Sequence, residues 1–190
     1  MSGRSRLHRE IAEIMNDKTS GVSVNFDERD MSRMEGLLAG PADTPYQGGT
    51  FAVDIELGDS YPYEPPKMRF KTKIWHPNIS SQNGAICLDI LKDQWSPALT
   101  IKTALLSLQA LLCTPEPNDP QDAVVANQYL KDYELFASTA KHWTESFATA
   151  MSGDEKVARI VEMGFDEAQA RRALQDANWD ENLAIASLLA

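Results

Sequence analysis

Residues 50–57, Thr-Phe-Ala-Val-Asp-Ile-Glu-Leu, constrain this chain more than any other stretch. Phe51, Val53, Ile55 and Leu57 alternate with small or polar residues, a period of two that fits a strand with one buried face. The run cannot continue far. Tyr61-Pro62-Tyr63-Glu64-Pro65-Pro66 follows, and its three prolines fix φ and remove donors, which excludes a helix or a central strand. Residues 31–38 read as a strand before it, closed by a Gly40-Pro41 turn. Residues 67–74 read as a strand after it, with Met68 and Phe70 on one face. Strands joined this closely predict an antiparallel meander.

Helices are expected on either side. Leu7, Ile11, Ile14 and Met15 recur at helical spacing over residues 4–16. Residues 100–113 carry Leu105, Leu106, Leu108, Leu111 and Leu112, apolar on most sides, and read as a buried central helix. The prolines at 115, 117 and 120 break it. Residues 121–150 read as two more helices, with Tyr129, Tyr133, Phe136, Trp143 and Phe147 supplying apolar faces. Strands grouped together and helices grouped together predict an α+β fold.

The texture changes at residues 151–154, Met-Ser-Gly-Asp, which read as a linker between a domain at 1–150 and one at 155–190. Beyond it three short helices are expected. Val157, Ile160 and Val161 fit the first, and Met163-Gly164-Phe165 interrupts it. Asp166 followed by Gln169 reads as a capping box opening the second, with Ala170, Ala173 and Leu174 inside. Asp180, after a break at Asn178-Trp179, would cap a third helix carrying Leu183, Leu188 and Leu189.

The net charge of −10 argues against nucleic-acid binding, which needs a positive surface. No apolar run reaches the roughly 18 residues of a membrane span, and polar residues interrupt the N-terminus before a signal core could form. A cytosolic or nuclear protein is expected, with no nucleic acid and no membrane. The two cysteines, Cys87 and Cys113, cannot build a disulfide framework. His8, His76 and His142 are scattered and no C-x-x-C pair exists, so no zinc site is expected. Arg4, Arg6 and Arg9 face only Glu10 in the first ten residues; they read as a small basic patch for an acidic partner or as a solvated helix face.

A free thiol, with a pKa near ~8.5, is a few per cent thiolate at neutral pH and still a strong nucleophile. His76 beside Pro77 reads as a turn residue more than a base, and neither papain-like nor caspase-like cysteine signatures are present. From the residues alone, Cys87 is either a core cysteine or a nucleophile.

The motifs His76-Pro77-Asn78, Gly84-x-x-Cys87-Leu88-Asp89 and Trp95-Ser96-Pro97-Ala98, in this order and spacing, resemble the active-site segment of the ubiquitin-conjugating enzymes. The Met-Gly-Phe loop and the Leu-Leu near the end resemble the ubiquitin-associated domain. The resemblance covers nearly the whole chain and this domain pairing recurs in one subgroup of the family. It implies the conjugating-enzyme fold, a four-stranded antiparallel meander with flanking helices, followed by a small three-helix bundle.

The same resemblance assigns roles. Cys87 would carry ubiquitin as a thioester. Asn78 would donate to an oxyanion or brace its loop, and Asp119 would orient an attacking lysine, with Asp89 assisting. Glu116 stands where many relatives have asparagine. Arg4, Arg6 and Arg9, then Tyr63, then Pro97 and Ala98 would meet the activating enzyme and ligases of RING or HECT type; Tyr63 replaces a phenylalanine common in the family. Ser23 matches a position where some members bind a second ubiquitin. Leu106 matches a resting place for folded-back donor ubiquitin, although core packing is the plainer reading of a leucine. Met163, Gly164, Phe165, Leu188 and Leu189 would form a ubiquitin-binding patch that raises local ubiquitin concentration. Lys92, near the cysteine, is a candidate for self-modification. No cofactor is expected, because ATP is used by the upstream activating enzyme. A monomer is expected that acts on substrate proteins or polyubiquitin chains, and the subgroup's usual product implies that it builds polyubiquitin chains of the proteasome-targeting linkage. A non-catalytic ubiquitin adaptor and a carrier of another ubiquitin-like modifier are the rival expectations.

Overall fold

The computed structural model describes residues 3–149 and 153–189. The chain divides into two compact units, residues 1–149 and 150–190. The first is α+β. Helix α1 (Gly3–Asn16) precedes strands β1 (Val22–Asp27), β2 (Asp30–Ala39), β3 (Thr50–Glu56) and β4 (Lys67–Phe70). The four strands lie in the order β1-β2-β3-β4, every pair antiparallel, which is the expected meander.

The alternation in β3 does what its period requires. Phe51, Val53 and Ile55 are fully buried, while Thr50 and Asp54 are exposed. Val22 and Val24 of β1 and Met34 and Leu38 of β2 join them on one face. Helix α2 (Ile101–Cys113) lies on that face through Leu105, Leu108 and Leu112. Gly36 permits the approach: a Cβ there would meet a Leu105 methyl at 2.7 Å. Helix α2 is buried along one stripe rather than on most sides. Leu106 is 36% exposed, so core packing is not its role.

Strand β4 is shorter than residues 67–74. After Phe70 the chain bends, and the Lys71 and Thr72 N–H groups both donate to the Ala52 carbonyl. The Thr72 hydroxyl accepts from Ala52 N–H at 2.9 Å, so a side chain replaces the next ladder acceptor. The C-terminal part of the unit comprises α3 (Ala123–Lys131), α4 (Tyr133–Trp143) and a π-helical turn over Thr144–Ala148. Asp132 separates the two helices: its N–H closes α3 on Gln128 O, and its carboxylate caps α4 at Leu135 N. Tyr133 and Phe147 are largely exposed, so the aromatic core of this region rests on Tyr129 and Phe136.

The second unit comprises α5 (Gly153–Glu162), α6 (Glu167–Asp176) and α7 (Glu181–Leu189) around Val157, Ile160, Ala170, Ala173, Leu174 and Ala184. Gly153 and Asp154, expected at the end of a linker, already belong to α5; residues 151 and 152 lie outside the described residues. Asp154 belongs there because a carboxylate suits the first turn, and it pairs with Arg171 at 2.9 Å. Asp166 caps α6 through the N–H groups of Ala168 and Gln169, and Asp180 receives Leu183 N–H at 3.0 Å. Val161 and Leu183 are exposed, not inward-facing.

Candidate active site

The segment between β4 and α2 is irregular, and two features hold it. The first is at Gly84, with φ +73°, where a Cβ would lie 2.0 Å from the Phe70 carbonyl oxygen. No other residue fits this close approach. Phe70 N–H donates to Gly84 O at 2.9 Å, fastening the cysteine segment to the sheet.

The second is His76-Pro77-Asn78. His76 is completely buried. Its Nδ1 accepts from Asn78 N–H at 3.0 Å, which leaves Nε2–H to donate to Leu111 O at 2.9 Å near the end of α2. Burial pushes the imidazole down to about 4, so it is neutral at physiological pH, and both ring nitrogens are taken up within the turn and by α2. Pro77 O accepts from the N–H groups of Gln121 and Asp122 at 2.9 Å each. The Asn78 amide nitrogen donates to Glu116 O and Asp119 O, both at 2.9 Å, and its oxygen accepts from Glu116 N at 2.8 Å. The tripeptide thus holds the whole proline-bounded loop. Asn78 N–H and C=O are also engaged: Cys87 N–H donates to Asn78 O at 2.9 Å.

Cys87 is half-buried in an open cleft of 460 Å³, lined by Asn78, Leu88, Asp89, Ser107, Ala110, Leu111, Thr114, Glu116 and Asp119. Its Sγ lies 3.9 Å from Asp119 Oδ2 and 3.6 Å from Lys92 Nζ. Asp119, Asp89, Glu116 and Lys92 are exposed. Asp89 opens a 3-10 turn, Asp89–Leu91, and lines the cleft. The arrangement presents a thiol with a cation and a carboxylate beside it. An ammonium group stabilises negative charge arising on sulfur, and a carboxylate orients an incoming amine.

The model of the family described as ubiquitin-conjugating enzyme matches residues 6–144, and that of the UBA/TS-N domain matches 154–188. The chain belongs to the ubiquitin-conjugating enzymes. It is 59% identical to "Ubiquitin-conjugating enzyme E2 27" of Arabidopsis thaliana over 97% of this chain and 96% of that one. It is 47% identical to human "Ubiquitin-conjugating enzyme E2 K" over the same shares. The E2 domain of a Toxoplasma gondii ubiquitin conjugating enzyme superposes with a TM-score of 0.73 at 57% identity, covering 77% of this chain and 99% of that one. A putative ubiquitin conjugating enzyme from Plasmodium yoelii gives 0.75 at 50% identity, covering 80% and 98%.

A ubiquitin-conjugating enzyme works with ubiquitin, an activating enzyme and ligases. The expected docking residues come together in this one. Arg6, Arg9, Pro97 and Ala98 line one hollow of 410 Å³ with Glu10, Glu13 and Thr100. Tyr63 is 80% exposed, on a loop joined to the Ser96-Pro97 segment through Trp95 Nε1, which donates to Pro62 O at 2.8 Å. The Arg4 side chain lies outside what the structure describes. Arg6 corrects the picture of a basic patch. Its Nε donates to Glu10 at 2.7 Å and its Nη2 to Leu99 O at 2.8 Å, so its charge is engaged inside the protein. Ser23 is exposed on β1. In the ubiquitin-associated unit, Met163 and Leu189 are exposed, Gly164 has φ +99°, and Phe165 and Leu188 pack partly on the small core.

Sequence reading missed Glu10, Ser81 and Asp122. The Ser81 hydroxyl donates to Asp122 Oδ2 at 2.6 Å, and Asp122 also caps α3, which adds a stitch to the same loop. For Glu10 a signal existed: Arg6 and Glu10 stand at i, i+4 on one helix face.

Proposed function

We propose that this enzyme carries ubiquitin as a thioester on Cys87 and transfers it to lysine amines. The sulfur attacks the carbonyl carbon of the ubiquitin thioester on the activating enzyme. A new C–S bond forms, and the activating enzyme's sulfur leaves. A lysine amine then attacks the same carbonyl; a C–N bond forms, the C–S bond breaks and the Cys87 thiolate departs. Lys92 stands beside the sulfur that must accept this charge. Asp119 orients the amine, whose ordinary pKa near ~10.4 requires that a proton be removed. Asn78 holds the loop that carries Asp119, and its amide lines the same cleft as Cys87, where it could turn to an oxyanion. The observation that carries this reading is the half-buried Cys87 Sγ, with Asp119 Oδ2 at 3.9 Å and Lys92 Nζ at 3.6 Å in an open cleft.

RING-type or HECT-type ligases would dock on Tyr63, Pro97 and Ala98. The C-terminal unit would retain ubiquitin through Met163 and Leu189, favouring polyubiquitin chains that direct substrates to the proteasome. The enzyme would act as a cytosolic or nuclear monomer without a cofactor of its own, ATP being consumed by the activating enzyme. Lys92 is close enough to the acyl carbon to be modified itself, and mass mapping after charging tests this: no adduct on Lys92 removes it.

The decisive test is charging. The protein, activating enzyme, ATP and ubiquitin should yield a band shifted on a non-reducing gel, lost with thiol reductant and absent in Cys87→Ala. A band only with another modifier would change the pathway. No band with any modifier, with ubiquitin binding intact, would favour an adaptor.

A further inference from the structure

Glu10 is 5% exposed and takes donors from three separate segments. Arg6 Nε, on its own helix, donates to Oε1 at 2.7 Å. The Tyr61 hydroxyl, from the proline-rich loop, donates to Oε2 at 2.6 Å. The Ile101 N–H, at the start of α2, donates to the same oxygen at 3.0 Å. That N–H belongs to the first turn of α2 and has no partner within the helix, so a carboxylate there satisfies it and suits the positive end of the helix. Arg6 extends the network to Leu99 O at 2.8 Å, and its guanidinium carbon lies 6.0 Å from the Tyr61 ring centre. Burial first, then the bond to Glu10, raises the Tyr61 phenol well above its usual range, so it stays a donor.

Each tethered segment carries part of the docking face. Tyr61 is two residues from the exposed Tyr63, Leu99 follows Pro97 and Ala98, and Arg9 lies on the Glu10 helix itself. We propose that Glu10 is a positioning residue: it touches no reacting atom, but sets α1, the Tyr63 loop and the Pro97-Ala98 loop in the one arrangement that a partner spanning all three can bind. A buried carboxylate suits this role because it only accepts, and so draws donors inward from whatever elements surround it. The proposal rests on the carrier reading of Cys87.

The test compares Glu10→Gln, which keeps shape but loses the charge, with the wild-type full chain. Initial charging rates are read against activating enzyme concentration, and ligase-free discharge onto free lysine is read separately. The KM for activating enzyme should rise about tenfold with kcat kept within about twofold, because binding common to ground and transition states is lost. Ligase-stimulated discharge should fall at low ligase and recover at saturation. Ligase-free discharge should stay within about twofold of wild type, since no reacting atom is touched. An unchanged KM in a folded Glu10→Gln would overturn the proposal. So would equal losses in kcat and ligase-free discharge, which would make the network a support of the active cleft. Should Glu10→Gln not fold, Tyr61→Phe deletes one donor and keeps the ring. It should raise KM about threefold, and no rise would be equally fatal. Failure of the wild-type protein to charge would sink the carrier reading instead.

Discussion

Asn78 and Glu10 are both almost fully buried, at 1% and 5% exposure, and each ties together segments far apart in sequence. They do so with opposite chemistry. Asn78 is neutral and offers a donor and an acceptor, so it can answer both the N–H and the C=O groups of one loop. Glu10 offers acceptors alone, so it gathers donors from α1, the Tyr61 loop and the start of α2. The amide stitches backbone to backbone without charge. The carboxylate makes separate elements converge, and its hold depends on an ion pair with Arg6. The cleft beside Cys87 is thus built to keep one loop shaped, and the docking face to keep three surfaces in register.

The sharpest way to break this contrast is Asn78→Ala. It leaves Glu116 N–H, Glu116 O and Asp119 O without their partner. Lysine discharge should fall about a hundredfold, the order seen when a transition-state donor is lost, and charging should fall far less. The same variant should lose about 3 kcal/mol in denaturant unfolding, because three part-buried hydrogen bonds to one amide go together. Equal losses in charging and discharge would mean that the loop serves both steps.

The active side owes its pH dependence to its neighbour, not to the amide. The folded pKa of His76 is about 4 against an ordinary value near 6.5. Below the unfolded value the denatured chain binds a proton that the native state refuses, so this contribution is complete above roughly 6.5 and is lost as pH falls toward 4. Between pH 7 and 5 the loss should be about 2 kcal/mol, read as a falling Tm. A His76→Gln variant should show a flatter profile over that range, and an equally steep one would point to other groups.

On the docking side, Tyr61→Phe should lower stability by about 1.5 kcal/mol, the worth of one hydrogen bond to a charged acceptor. Chemical denaturation would read it, and no change would mean that Glu10 is held without its phenol. The smallest effect on catalysis is expected outside both sites. Met163→Glu should leave charging intact and weaken ubiquitin binding about tenfold, since it places a charge in an apolar contact. Titration of the full chain with ubiquitin measures this, and undiminished binding would move the patch elsewhere.

The sheet was readable because alternation is local: Phe51, Val53 and Ile55 declare their buried face within seven residues. The end of β4 was not, because Thr72 stops the ladder with its side chain and no period records that. Strand β1 entered only through the family resemblance that placed Ser23. At the site, Cys87, Asn78 and Asp119 were named through motifs, but their joining spans 41 residues from Asn78 to Asp119 and emerges only in three dimensions. Glu10 was legible as a charge offsetting arginines. Its burial arises from Tyr61 and Ile101, 51 and 91 residues away, which no local pattern announces.

Both hydrogens of the Asn78 amide already point at peptide carbonyls. An oxyanion that is to use one of them must wait for a carbonyl to let go. On the proposed carrier reading, loop and thioester would then share a clock, and lysine transfer that draws on this amide would run no faster than the Glu116 or Asp119 carbonyl lets go, however reactive the acyl group. A partner that eases this loop would then set the tempo without ever touching the sulfur.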